Sequence, residues 1–345
     1  MPDTEPRLTA AIVPMSVLAG LVDLARREGH RPDGWFAGTG LTPGHVARPG
    51  TRVSFRQAAA ILRRALRDLP PGPHGLRVGG RDALVTFGML GFAIRSCRTL
   101  REAMDIGLEL HLASGSLMDV EAESFGDRIA LRLYERAPEP EVLPFLCEEA
   151  MSSSLMLIRS ALGSDITPTL VELGYPRPAH AADYHRFFRC PLRFGADAHR
   201  MTFPASLLDR PIPTYSPASR EAAVDACRRL LRTGRDAPHD IVAAVETLLA
   251  ENPRRPLTMA RTAEHLRLTE RGLRRRLSAA GTRFSTIRDR VRRRRATFLL
   301  RETSLPVARI AEEVGFSDAR EFRRAYQRWT GQPPTATRRA PRPRP

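Results

Sequence analysis

Lysine is missing altogether: all 55 basic side chains of this 345-residue chain are arginines. A GC-rich coding sequence favours arginine codons, so the residue type identifies no partner and only the placement of charge is informative. Cysteine is sparse. Cys97, Cys147, Cys190 and Cys227 lie far apart without a Cys-x-x-Cys pair, which argues against a zinc knuckle or a disulfide framework and fits a reducing compartment. His185, Cys190 and His199 match no standard metal-site spacing. Apolar runs fall well short of the roughly 20 residues that a membrane span requires. The N-terminus has neither the basic start nor the apolar stretch of a signal peptide, so a cytoplasmic protein without a membrane partner is expected. Also absent are a Gly-x-Ser-x-Gly elbow, a P-loop and a glycine-rich dinucleotide turn. Neither an enzyme nor a cofactor is expected.

What is present is a charge imbalance. Residues 252–345 hold 25 arginines against 8 acidic side chains, while residues 1–251 hold 30 of each, so the later segment carries the whole formal charge of +17. Such a concentrated basic segment is the electrostatic footprint of a nucleic-acid-binding domain. Inside it, Ala260-Arg261-Thr262-Ala263-Glu264 returns 48 residues later as Ala308-Arg309-Ile310-Ala311-Glu312, each copy followed by a turn and an arginine-rich helix. The pattern predicts two helix-turn-helix units in tandem.

Length and 42% apolar content bound the chain as globular, with two or three domains. Apolar periodicity predicts helices over 15–28 and 55–68, the second with Phe55, Ala58, Ala59, Leu62 and Leu66 on one stripe. The apolar stretch 86–114 breaks at Cys97-Arg98-Thr99, where Thr99 can cap a helix through Leu100, Met104, Leu108 and His111. Alternating runs over 116–123 and 128–136, around Gly126-Asp127, predict a β-hairpin. A long helix over 141–162, strands over 169–174 and 199–203 and a short helix over 182–189 complete an α+β domain, mostly helical with small β elements. Residues 1–213 are assigned to this first domain, 214–237 to a connector helix and linker, and 238–338 to an all-α domain; 339–345 form a solvated basic tail of alternating arginine and proline.

In the first helix-turn-helix, Thr258 caps a helix through Met259, Ala263 and Leu266. Arg267-Leu268 make the turn, and Thr269 caps a second helix from Glu270 to Ala279. At about 100° per residue, Arg271 and Arg275 share a face opposite Leu273. The second unit repeats this with a helix over 307–314, the turn Gly315-Phe316, cap Ser317 and a helix over 318–329, Phe322 and Tyr326 inward and Arg320 and Arg324 outward. An arginine fork can donate to both O6 and N7 of guanine, so Arg271, Arg275, Arg320 and Arg324 are candidate base readers in a major groove. Thr269, Arg274, Arg276, Arg292, Ser317 and Arg323 are candidates for contact with the DNA backbone. For Arg292 to Arg295, spread around most of a turn, a solvated face or generic phosphate contact outweighs base readout. An amphipathic strut through Phe284, Ile287, Val291, Phe298 and Leu299, about 18 residues and 27 Å long, can hold two heads about one DNA turn, roughly 34 Å, apart.

Ile310-Ala311, Gly315-Phe316, Ser317, Phe322-Arg323-Arg324 and Trp329-Thr330-Gly331-Gln332-Pro333-Pro334, with Ala263, Leu266, Leu273-Arg274-Arg275 and Gly281 in the first unit, resemble the DNA-binding domain of the AraC/XylS family of bacterial transcription regulators. Arg267 stands where that family has a turn glycine, Thr337 where an aromatic precedes Arg338, and Arg293 where the strut is apolar. Upstream, four segments resemble the arabinose-binding-type effector domain of one branch of the family. They are Gly88-Met89-Leu90-Gly91, Thr99-Leu100-Arg101-Glu102-Ala103, residues 184–194 with Phe187-Phe188, Pro191 and Phe194, and Leu207-Leu208-Asp209-Arg210-Pro211-Ile212-Pro213. The resemblance implies a sensor that forms a homodimer, double-stranded promoter DNA and RNA polymerase as partners, and activation more than repression. A repressor, or a constitutive DNA-binding protein whose N-terminal half only dimerises, is the alternative. It also implies a small-molecule effector, with fatty acids or amino-acid-like compounds among those of the branch. A carboxylate effector needs a cation beside an apolar pocket, which makes Arg95 and Arg98 candidates, while His111 on an apolar helix face either packs in the core or meets the ligand.

Overall fold

The computed structural model describes residues 6–48, 50–235, 240–251, 253–255 and 257–339. The chain divides into two compact units, Met1–Trp35 with Pro43–Ala237 and Phe36–Thr42 with Pro238–Pro345. Residues 236–239, where the domain boundary is expected, and the tail from 340 onward lie outside the described residues.

The first unit begins with α1 (Pro6–Thr9), β1 (Val13–Pro14) and α2 (Ser16–Arg27), followed by β2 (Arg52–Val53) and α3 (Phe55–Asp68). A reciprocal capping box fixes the start of α3: Gln57 N donates to the Ser54 hydroxyl at 3.1 Å and Ser54 N to the Gln57 side chain at 3.0 Å. Next come α4 (His74–Gly79), α5 (Ala83–Phe87), α6 (Met89–Arg95) and α7 (Leu100–Leu110), so the apolar stretch over 86–114 has one break more than its pattern predicts. Gly88 supplies it, at φ 53° and ψ −125°, a conformation that a side chain rarely permits. Thr99 caps α7, its hydroxyl accepting from Glu102 N at 3.4 Å.

A hairpin, β3 (Met118–Phe125) and β4 (Arg128–Glu135), turns at Gly126-Asp127, with its first strand beginning two residues later than the alternation predicts. After the central helix α8 (Leu143–Leu162) come β5 (Leu170–Leu173), α9 (Ala181–Phe188), β6 (Leu192–Phe194) and β7 (His199–Pro204). They complete a sheet of order β3-β4-β7-β5-β6, antiparallel except for the β5–β6 pair. β6 is too short for its alternation to mark it as a strand. α4 comes close to α8. A Cβ on Gly75 would fall 2.4 Å from the Phe145 carbonyl oxygen, and one on Gly79 2.4 Å from that of Glu149. Only glycine hydrogens fit there, and this approach buries the adjacent Glu148 and Glu149.

α10 (Pro217–Arg235) covers the residues expected to act as a connector, and it packs onto α6 and α7 as part of the first unit. Ala223 and Cys227 are fully buried, Arg220 pairs with Glu102, and Arg228 pairs with Glu109 at 3.0 Å.

The second unit comprises α11 (Asp240–Glu251), α12 (Met259–His265), α13 (Glu270–Ala279), α14 (Phe284–Glu302), α15 (Val307–Glu313), α16 (Ala319–Thr330) and α17 (Pro334–Arg339). It has two cores on one strut. Ile287 and Val291 of α14 join Leu273, Leu277 and Ala263 in the first core. One to three turns later, Ala296, Leu299 and Leu300 join Ile310, Phe322 and Tyr326 in the second. Arg338, at the end of α17, donates to the Leu305 carbonyl.

Candidate nucleic-acid interface and ligand cavity

The two helix-turn-helix units are built around one turn geometry. Arg267 N donates to Glu264 O at 3.0 Å and Leu268 N to Ala263 O at 2.9 Å; 48 positions on, Gly315 N donates to Glu312 O and Phe316 N to Ala311 O at the same two distances. The turn needs a left-handed residue, which Gly315 provides at φ 77° and Arg267 at φ 53°. In an arginine that conformation costs about 1–2 kcal/mol.

The caps that follow differ. The Thr269 hydroxyl accepts from Gly272 N at 3.1 Å, as expected. In the second unit Asp318 is the cap, accepting from Arg320 N at 2.8 Å, and Ser317 is left exposed one residue earlier. A carboxylate at a helix start has the dipole in its favour as well as the hydrogen bond, and so prevails over the adjacent hydroxyl. α16 therefore starts one residue late. The reading helices correspond at an offset of 49, matching Leu273 and Leu277 to Phe322 and Tyr326, all buried.

Opposite those inward residues lie Arg271 and Arg275 on α13 and Arg320 and Arg324 on α16. All four are exposed, and among the described residues none makes a hydrogen bond or ion pair through its guanidinium. Arg276 and Arg323 are equally exposed and unpaired, while Arg274 stands 3.6 Å from Glu270. Several neighbouring arginines are engaged with protein, whereas among the described residues Arg267, Arg283, Arg301 and Arg328 are exposed and unpaired. Arg254 donates to Glu313 at 2.9 Å, Arg290 lies 3.1 Å from Glu246, and Arg293 donates to the Trp329 carbonyl at 3.3 Å. Arg292, expected at a phosphate or as a solvated charge, is half-buried and bonded within the protein. Its Nη2 donates to the Gly315 carbonyl at 2.9 Å, and its guanidinium lies 4.6 Å from the Phe316 ring centroid. Burial lowers its pKa. Arg292 thereby ties the strut to the second turn.

The first unit contains a cavity of about 130 Å³ bounded by α6, α7, α8 and the sheet. Leu90, Ile94, Met104, Leu108, Leu157 and Phe203 give it apolar walls. Among the described residues no arginine lines it; Arg98 is exposed and Arg95 is not in the wall, so neither offers a cation to a carboxylate there. His111 does line it, with Nδ1 2.8 Å from the Leu108 carbonyl and Nε2 3.6 Å from Asp119. Hydrogen bonding to His111 and the charge of Arg136 hold the Asp119 carboxyl down at about 2, against the effect of its burial. Sequence reasoning missed Glu149, which also lines the cavity. Burial pushes its carboxyl up to about 7, against the attraction of Arg81 and a hydrogen bond from Ser153. The available signal was a pair of acids, Glu148-Glu149, in the mostly apolar first half of a helix.

Among the described residues, no group of three or more His, Cys, Asp and Glu gathers to hold a metal, and no helix is long and apolar enough to cross a membrane. Residues 29–212 match the N-terminal arabinose-binding domain of AraC transcription regulators, and residues 262–340 match a helix-turn-helix domain. Over 333 residues the chain is 30% identical to the Ornithine utilization regulator of Pseudomonas aeruginosa, a match covering 96% of this chain and 98% of that protein. Over 194 residues it is 32% identical to the HTH-type transcriptional regulator VqsM of the same species, covering 54% of this chain and 58% of that one. The transcriptional regulator CdpR from Pseudomonas aeruginosa, a solved structure, aligns at 23% identity and a TM-score of 0.41, covering 84% of this chain and 100% of its own. With its N-terminal match spanning more than half the chain and a relative similar over nearly its full length, this protein belongs to the AraC family and is a DNA-binding regulator of transcription.

Proposed function

We propose that the protein is a cytoplasmic, effector-responsive activator whose two heads enter successive major grooves of promoter DNA. The observation that carries this reading is the set of exposed, unpaired guanidinium groups gathered on the outer faces of α13 and α16, opposite the buried Leu273, Leu277, Phe322 and Tyr326. Arg271, Arg275, Arg320 and Arg324 read base edges. Thr269, Arg274, Arg276, Ser317 and Arg323 hold phosphates and set the register. The strut between the heads has 19 residues and at the usual helical rise is about 28 Å long.

For regulation, Leu90 and Ile94 place α6 in the cavity wall, and α10, which leads in sequence toward the DNA-binding unit, packs on α6. A ligand that favours one position of α6 changes the population of α10 arrangements, and with it dimer contacts or the freedom of the DNA-binding unit. Similarity to a regulator of ornithine utilization supports control over the use of a small metabolite. RNA polymerase is the partner on the promoter, and no step of this cycle requires the protein to transform its effector.

The test is fluorescence anisotropy on the promoter fragment and on a scrambled duplex. Arg275→Ala and Arg324→Ala each cost about 1–3 kcal/mol on the promoter and relax preference at one base pair. Equal losses on both duplexes would remove the base-reading role.

A further inference from the structure

We propose that the cavity of the first unit takes a short apolar ligand bearing a positively charged amine, with the Glu149 carboxylate as the group that receives it. The assignment rests on the effector-responsive reading above and adds the chemical class of the effector.

Size sets the body of the ligand. The cavity measures about 130 Å³, close to the roughly 150 Å³ that admits one benzene ring, so an apolar body of about six carbons fits without rearrangement.

The head group follows from what the wall already uses. The hydroxyls of Thr86, Ser114 and Ser116 donate to the carbonyls of Asp82, His111 and Met118 at 3.0, 2.7 and 2.8 Å, and that of Ser16 donates to the Ser114 carbonyl. The Ser153 hydrogen is divided between the Ala150 carbonyl, at 3.2 Å, and Glu149. Among the described residues, Ser154 is the one lining hydroxyl that keeps an uncommitted hydrogen. With Nδ1 donating to the Leu108 carbonyl, His111 offers Nε2 as an acceptor when neutral, and when protonated it faces Asp119. The cavity is therefore rich in acceptors and poor in donors, and the ligand must supply the donors.

Two adjacent acids show that this is a local arrangement. Glu148, 2% exposed, accepts from Gly75 N at 2.9 Å, Tyr184 Oη at 2.6 Å and His180 Nε2 at 2.7 Å, a closed set of partners. Glu149, 5% exposed, has no such set among the described residues; Arg81 acts on it at a distance rather than through an ion pair. A buried carboxylate short of donors is unfavourable, and an ammonium relieves it where a second carboxylate would aggravate it.

The purified full chain is titrated by calorimetry at about pH 8, above the Glu149 carboxyl's value of about 7, with n-hexylamine, 1-hexanol and hexanoate, one apolar body with three heads. The amine is expected to bind at least about tenfold tighter than hexanoate. Glu149→Gln, which keeps the shape, should abolish most of that preference. Should the variant fail to fold, the order of the three heads on the native protein decides. Hexanoate binding as tightly as the amine, or amine binding that survives Glu149→Gln, overturns the head-group assignment and leaves the effector reading standing. Amine binding that depends on Glu149 but leaves promoter affinity unchanged does the reverse. If none of the three binds, the ligand class assigned to the cavity falls, and the effector reading is left to the promoter-binding test.

Discussion

Replacing Arg292 with alanine separates a structural role from a DNA-contacting one. The substitution removes the 2.9 Å hydrogen bond to the Gly315 carbonyl and the contact 4.6 Å from the Phe316 ring centroid. A hydrogen bond to a charged group contributes about 1.5–3 kcal/mol and a cation–π contact about 0.5–2 kcal/mol. The side chain is only half-buried, so solvent screens both and the lower ends apply, about 2 kcal/mol together. For a domain of this size, each kcal/mol moves the unfolding midpoint by about 4–8 °C, so a fall of about 8–16 °C is expected. Calorimetry on the full chain, with hydrogen exchange on peptides from α15 and α16 to assign the transition, measures it. Arg292→Lys keeps the charge but loses the planar fork, and should recover little of the loss. An unchanged midpoint together with a salt dependence of DNA binding shallower by about one phosphate would refute the reasoning and return Arg292 to the DNA backbone.

Arg267→Gly should stabilise the first helix-turn-helix by about 1 kcal/mol, because glycine adopts the left-handed turn without strain; a lower melting temperature would mean that the arginine side chain offsets its own backbone cost. Asp318→Ala should destabilise the second unit by about 1 kcal/mol and Ser317→Ala by a few tenths at most, and denaturant titration giving the opposite ranking would restore Ser317 as the cap. The Glu149 carboxyl is raised from 4.5 to about 7 in the folded protein, so the folded state holds this proton more tightly than the unfolded state does. Its stabilising effect is complete below the unfolded value, declines as pH rises through about 7, and amounts to about 3 kcal/mol in all. His180, raised by its bond to Glu148, contributes in the same direction, so urea denaturation of the native protein and Glu149→Gln, compared at about pH 5 and about pH 8, isolates the Glu149 part. Parallel pH profiles for the two proteins would contradict this.

The second unit is legible in the sequence because caps and turn residues bound its elements, and the predicted helix Glu270 to Ala279 is α13 as observed. Legibility fails where two neighbours compete for one role or where the partner arrives from far along the chain. Ser317 and Asp318 can both cap, and the offset of the repeat points to the wrong one. Arg292 to Arg295 cover nearly every direction around a helix, and only the arrival of the Gly315-Phe316 turn gives Arg292 its carbonyl and ring partners. In the first unit, Glu148 and Glu149 are the only acids of their helix, yet which of them meets a closed set of donors depends on the long-range approach of α4 at Gly75 and Gly79. The shift at the second cap also decides how the two heads are compared. At the turn offset of 48, Arg275 corresponds to Arg323; at the helix offset of 49 set by the buried Leu277 and Tyr326, it corresponds to Arg324. Inward side chains fix the rotation of a helix against its core, so the second correspondence is the physical one. A base preference that relaxed in Arg323→Ala and stayed intact in Arg324→Ala would show that the turn, and not the core, sets the reading face.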